Sequence, residues 1–180
     1  MDLVDLITEK RFLGQEFLTW LWYKSEERGG TIYLDRSATD IELILEKHIL
    51  LESGEGESYE KMICQGLQTE LQEARTGLAM GKKIEQARIM MIRDDHEYRF
   101  TLKGSLLTFS SIRLPKTMAG SEEGDDVDAV AGMLLDRIGL YEIMLRTVDE
   151  LFRMFLKKRI GSDWPAELAS LTRWIKKGEA

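Results

Sequence analysis

The chain has 180 residues, 43% of them hydrophobic, with a net charge of -7 and a single cysteine. That length suffices to bury one good core, so a single domain over residues 1–180 is expected. The acidic balance excludes a surface that attracts polyanions everywhere and leaves room for a local basic patch; one cysteine excludes an internal disulfide framework.

A lone Cys64 suits a reducing, intracellular setting. Met1 to Lys10 carries Asp2, Asp5 and Glu9 within a short apolar segment, which matches neither a basic-then-apolar leader nor a spanning helix of about 20 apolar residues. The expectation is a soluble, cytoplasmic protein with no membrane partner.

In chain order, Arg11 to Glu27 reads as a helix. Leu13, Phe17, Trp20 and Leu21 share one stripe at i, i+4, i+7 and i+8, while Phe12, Trp22 and Tyr23 fall toward the opposite side. A short helix with aromatic surface in more than one direction belongs at the centre, with something packed on each side. Arg28-Gly29-Gly30 ends it, Thr31 to Leu34 is a strand, and Ile41, Leu43, Leu45, Ile49 and Leu51 keep a period of two. This second run is either one long strand or two strands turning near Lys47. After a turn at Gly54-Glu55-Gly56, Ser58 to Cys64 returns in the same sheet.

Helical spacing resumes from Leu67 to Met80 through Leu67, Leu71, Ala74 and Leu78, with Gly81 placed to terminate it. Ile84 to Arg93, Glu97 to Lys103 and Leu107 to Ile112 are strands joined at Asp94-Asp95 and Gly104-Ser105. In the middle one Tyr98, Phe100 and Leu102 point one way, the mark of an antiparallel sheet with one wet face, and Leu114-Pro115 closes the run. Thr117 to Asp128 is small, acidic and glycine-containing, and reads as a flexible surface loop.

The longest helical signal follows. Val127, Ala131, Leu134, Ile138, Tyr141, Leu145, Val148, Phe152 and Phe155 alternate steps of four and three, a heptad-type seam, and Met133, Leu140, Met144, Leu151 and Met154 cover an adjacent face. Such a helix needs cover on two sides, from the sheet and from another helix or a second copy of the chain. Gly161 to Asp163 breaks it, and Trp164-Pro165 opens a last helix whose buried stripe is Leu168, Leu171, Trp174 and Ile175. The expected class is α+β: an antiparallel sheet of about five to seven strands against an N-terminal aromatic helix, a middle helix and a long C-terminal helical pair.

Catalytic constellations are not evident. Gly77 to Lys83 is one residue short of a phosphate-binding loop, has a lysine where Ser or Thr would hold magnesium, and lies at a helix end instead of a helix start. His48 and His96 lack metal-helix spacing, Cys64 lacks the context of a nucleophile, and Asp40 with Glu42 or Asp94 with Asp95 read as turn chemistry. No catalytic residue, metal ligand or cofactor is assigned. The useful electrostatic feature is a basic bias near the C-terminus: Arg153, Lys157, Lys158, Arg159, Arg173, Lys176 and Lys177 outnumber Asp163 and Glu167. Lys157, Lys158, Arg159, Arg173, Lys176 and Lys177 are the candidate phosphate contacts, and Lys82 and Lys83, beside Arg88, form a smaller second group. The same cations also suit helix C-termini, where they complement the macrodipole.

The segment Phe12-Leu13-Gly14-Gln15-Glu16-Phe17-Leu18-Thr19-Trp20-Leu21-Trp22 resembles a stretch of the bacterial recombination-associated protein RdgC family. The similarity continues at Gly77 to Arg88, at Leu114-Pro115 and through the last helices to Arg173-Trp174, and corresponds to the C-terminal portion of longer members. The resemblance implies a non-enzymatic accessory role in DNA recombination or replication. It also implies duplex DNA bound without sequence preference, modulation of a recombinase, a nucleoid setting and ring-shaped dimers. The chain departs from those members in lacking the preceding β-rich region, and no family catalytic residue carries over. Homo-oligomerisation through the long C-terminal helix is expected. The rival readings are a protein-interaction module that never touches DNA and, more distantly, a metal-dependent nuclease or hydrolase.

Overall fold

A computed structural model describes residues 12–54, 58–65, 68–116 and 127–176. Met1 to Lys10, Gly56, Leu67, Lys177 and the 117–126 part of the predicted acidic loop lie outside them. Helix α1 (Phe12–Glu26) and a 3-10 turn (Glu27–Gly30) lead into strands β1 (Thr31–Leu34), β2 (Thr39–Ser53) and β3 (Glu60–Gln65). Helix α2 (Gln68–Ala79), strands β4 (Lys83–Arg93), β5 (His96–Lys103) and β6 (Thr108–Arg113), and helices α3 (Val127–Ile160) and α4 (Trp164–Lys176) follow. The class is α+β, as the alternation of patterns predicts.

The six described strands lie antiparallel in one sheet in the order β1-β2-β4-β5-β6, with β3 also paired to β2. β1 takes Thr39 to Glu42 and β3 takes His48 to Ser53, both on the edge of β2 that faces away from β4. The run around Lys47 is thus one strand of 15 residues and not two. What marks that place is a slip in the ladder: Leu45 faces Ile89 but Ile49 faces Ala87, so β2 advances four residues where β4 advances two. A surplus of two preserves the side-chain parity, so the strand bends without turning its apolar face outward.

That inner face is the floor of the core. Ile41, Leu43, Ile49 and Leu51 of β2, Ile84, Ile89 and Met91 of β4, and Tyr98, Phe100 and Leu102 of β5 are all buried. The outer face is wet, and there Glu46 pairs with Arg88 at 2.6 Å and Arg99 at 3.1 Å.

Helix α1 lies on the floor as a hub. Phe17 meets Phe152 of α3 edge-on at 5.0 Å, and Trp22 meets Trp174 of α4 edge-on at 5.0 Å, so aromatic residues on two sides of the helix are engaged. Gly14 lets the helix seat this deeply: a Cβ there would collide with the Gly104 carbonyl in the β5–β6 turn. At the other end Gly30 has φ +83, and a Cβ would stand 2.5 Å from the Leu43 carbonyl oxygen.

Helix α3 has 34 residues, about 51 Å at 1.5 Å per residue, roughly twice the length of the eight-residue β5. Its second half is anchored. Met144, Leu151 and Phe155 are fully buried, the Glu150 carboxylate accepts the backbone N–H groups of Arg36 (2.6 Å) and Ser37 (3.1 Å), and Arg93 donates to the Thr147 hydroxyl at 2.6 Å. The first half overhangs. Leu134, Ile138 and Tyr141 of the predicted seam are 56%, 52% and 38% exposed, so the seam is buried only where the sheet and α1 reach it. Leu168, placed on the buried stripe of α4, is likewise exposed, whereas Leu171 is buried.

Candidate nucleic-acid interface

The basic bias falls on the last turns of α3 and α4. Lys157, Lys158 and Arg159 occupy the last turn of α3, and Arg173 and Lys176 the last turn of α4. Helix α4, of 13 residues and about 20 Å, separates the two groups along the chain.

What α4 docks on decides which cations stay free. Trp20 donates its indole N–H to Glu167 at 3.0 Å, and Lys24 pairs with the same carboxylate at 2.9 Å. Burial pushes the Glu167 carboxyl up, but hydrogen bonds from Lys24 and Trp20, with the fields of Lys24 and Lys158, outweigh it and hold the group below the ordinary value of 4.5. At the far end of α4, Trp174 donates to Glu26 at 2.8 Å, and the Arg75 guanidinium of α2 lies 4.8 Å from the Trp174 ring centre while pairing with Glu26. Carboxylates on α1 and α4 therefore absorb Lys24 and Arg75.

The predicted contacts divide accordingly. Arg159 is engaged, bound to Glu16 at 2.8 Å and resting 4.8 Å over the Trp164 ring. Lys82 is also engaged, pairing with Glu60 at 2.5 Å and donating to the Ser53 hydroxyl at 3.2 Å; that lysine holds the Glu60 carboxyl below its ordinary value. Lys157, Lys158, Arg173 and Lys176 are exposed and form no ion pair among the described residues. Arg173 bonds only within its own helix, to the Ala169 carbonyl and the Ser170 hydroxyl. Lys83 is exposed at the start of β4, opposite Glu52, and Lys177 lies outside the described residues. Exposed lysines and arginines of this kind offer charge to phosphates and do not distinguish one base from another.

A buried polar cluster was not legible in the pattern of charges. The Gln15 amide of α1 donates to Glu52 (2.8 Å) and to Glu85 (3.1 Å), and Ser105 donates to Glu85 at 2.5 Å. Gln15, Glu85 and Ser105 are each buried, so the cluster bolts α1 to β2, β4 and the β5–β6 turn. Gln15 itself, between Gly14 and Glu16, gave no sign in the sequence that it would be buried. Among the described residues no three His, Cys, Asp or Glu side chains converge to hold a metal ion. No described helix is long and apolar enough to cross a membrane. Comparison with family models, curated proteins and solved structures yields no match.

Proposed function

We propose that the chain is a non-enzymatic, RdgC-like accessory protein of DNA recombination or replication that binds duplex DNA through its phosphates. The observation that carries this reading is the set of exposed cations Lys157, Lys158, Arg173 and Lys176, which form no close ion pair among the described residues of an acidic chain. Arg159 and Lys82, by contrast, are held by Glu16 and Glu60. At 3.4 Å per base pair, a helix of 13 residues such as α4, about 20 Å long, is matched by roughly six base pairs of duplex. Recognition of this kind is indifferent to sequence and weakens steeply with salt. A recombinase is the partner class that this role implies.

Fluorescence anisotropy with labelled duplexes of unrelated sequence tests the reading. Equal affinities at low salt are expected, with loss of binding when Lys157, Lys158, Arg173 and Lys176 are all changed to Glu. No binding at low salt removes the DNA role. Incubation with magnesium or manganese should leave the DNA at full length; shortened products would point to a nuclease instead.

A further inference from the structure

We propose that the groove between the first half of α3 and the edge of the sheet is a docking site for an acidic peptide segment of a partner protein, anchored there by an apolar side chain. The groove is open, holds about 410 Å³ and has an apolar floor of Leu135, Leu140 and Ile143, with Gly139 between them. From Leu135 to Ile143 it follows α3 for about 12 Å, the reach of about four extended residues. Leu135 is 67% exposed and Ile143 37%, so the floor is accessible from outside.

Charge selects the occupant. Lys116, which follows β6, lines this groove and also an adjoining pocket of about 330 Å³ formed with Leu114, Pro115 and Arg137. Lys116 and Arg137 are exposed and form no close ion pair among the described residues, although the chain as a whole is acidic. His96 also lines the groove; its Nδ1–H donates to the Asp94 carbonyl at 2.8 Å, which leaves Nε2 uncommitted. Asp136 is the one carboxylate among the residues that line the groove and the pocket. The rim therefore favours a negatively charged occupant.

Apolar lining and open shape narrow the choice to a peptide. A sugar–phosphate backbone has no use for Leu135, Leu140 and Ile143, whereas an apolar side chain set among carboxylates matches both floor and rim. A small amphiphile would stay largely wet here, since sites for such ligands enclose most of the ligand surface. Gly139 supplies the room. A Cβ there would meet nothing within 4 Å, so the chain's own packing does not require glycine, and glycine inside a helix costs stability relative to alanine. Without a side chain at that position, the α3 backbone itself is open to close approach by another chain. The inference goes beyond the DNA reading, because Lys116, Arg137 and Gly139 are not among the residues assigned to phosphates.

Selection of a phage-displayed library of random peptides, about 12 residues long, against the full chain tests the proposal. Enriched sequences should carry several Asp or Glu around a Leu, Phe or Trp, and synthetic copies should bind in fluorescence anisotropy. Gly139→Leu, which fills the groove, and the pair Lys116→Glu/Arg137→Glu, which reverses its rim, should each lower that affinity about tenfold or more. All three positions are exposed, so circular dichroism and Tm should not fall in the variants. Duplex DNA affinity should be the same in Gly139→Leu as in the wild type. No enrichment, a basic or uncharged consensus, or peptides that bind every variant equally would overturn the proposal. Lowered duplex affinity in Gly139→Leu would give the groove to nucleic acid, and enrichment only of sequences matching this chain would give it to the chain itself or a second copy; either result overturns it.

Discussion

Gly14 is the residue on which the seating of α1 depends. Any side chain there meets the Gly104 carbonyl, and backbone in a hairpin turn cannot move aside as a flexible side chain would. Gly14→Ala should therefore destabilise the fold by about 1–3 kcal/mol or more, measured by urea denaturation, although alanine favours an isolated helix. An unchanged or raised midpoint would show that α1 does not press on that turn. Phe152 is the reciprocal case from α3: it stacks edge-on with Phe17 and is almost fully buried, so Phe152→Ala should cost about 3–5 kcal/mol. Both positions were readable as helix residues, and Phe152 as core. The demand for glycine at Gly14 was not readable, because it arises from a turn 90 residues away in sequence.

Among the elements, α4 is the one whose attachment depends on charge. The Glu167 carboxylate accepts from Trp20 and Lys24, and its folded pKa lies below 4.5. Its stabilising contribution is thus complete above the unfolded pKa and is lost as pH falls through the lower folded value. Tryptophan fluorescence should stay constant from neutrality to about pH 4.5 and then report loosening of Trp20 and Trp174. Glu167→Gln should weaken the neutral protein by about 2 kcal/mol and flatten the acid limb; an identical acid profile in the variant would contradict this attachment. The helix itself was legible from Trp164-Pro165 and its periodicity. For β2 and α3 the patterns held the element type but not its limits. A two-residue surplus keeps the period of two, so the slip between Leu45 and Ile49 is silent in the sequence. The seam of α3 likewise runs unbroken from Ala131 to Phe155, whereas its burial stops where the sheet stops.

At the scale of the whole molecule, the excess of cations over carboxylates near the C-terminus was visible in the sequence, but the sorting of those cations was not. Arg159 is neutralised by Glu16, 143 residues away, and Lys82 by Glu60, 22 residues away, pairings that only the fold brings about. Lys157 and Lys158 in the last turn of α3 and Arg173 and Lys176 in the last turn of α4 remain exposed, with no ion pair among the described residues. The measurement that tests the DNA reading most directly is the slope of log K against log salt for duplex binding, compared between the wild type and Lys157→Ala/Lys158→Ala. Four phosphate contacts predict a slope of about -3.6, falling to about -1.8 in the variant with affinity lowered alike for every sequence. Equal slopes for the two proteins, or binding that is insensitive to salt, would contradict it.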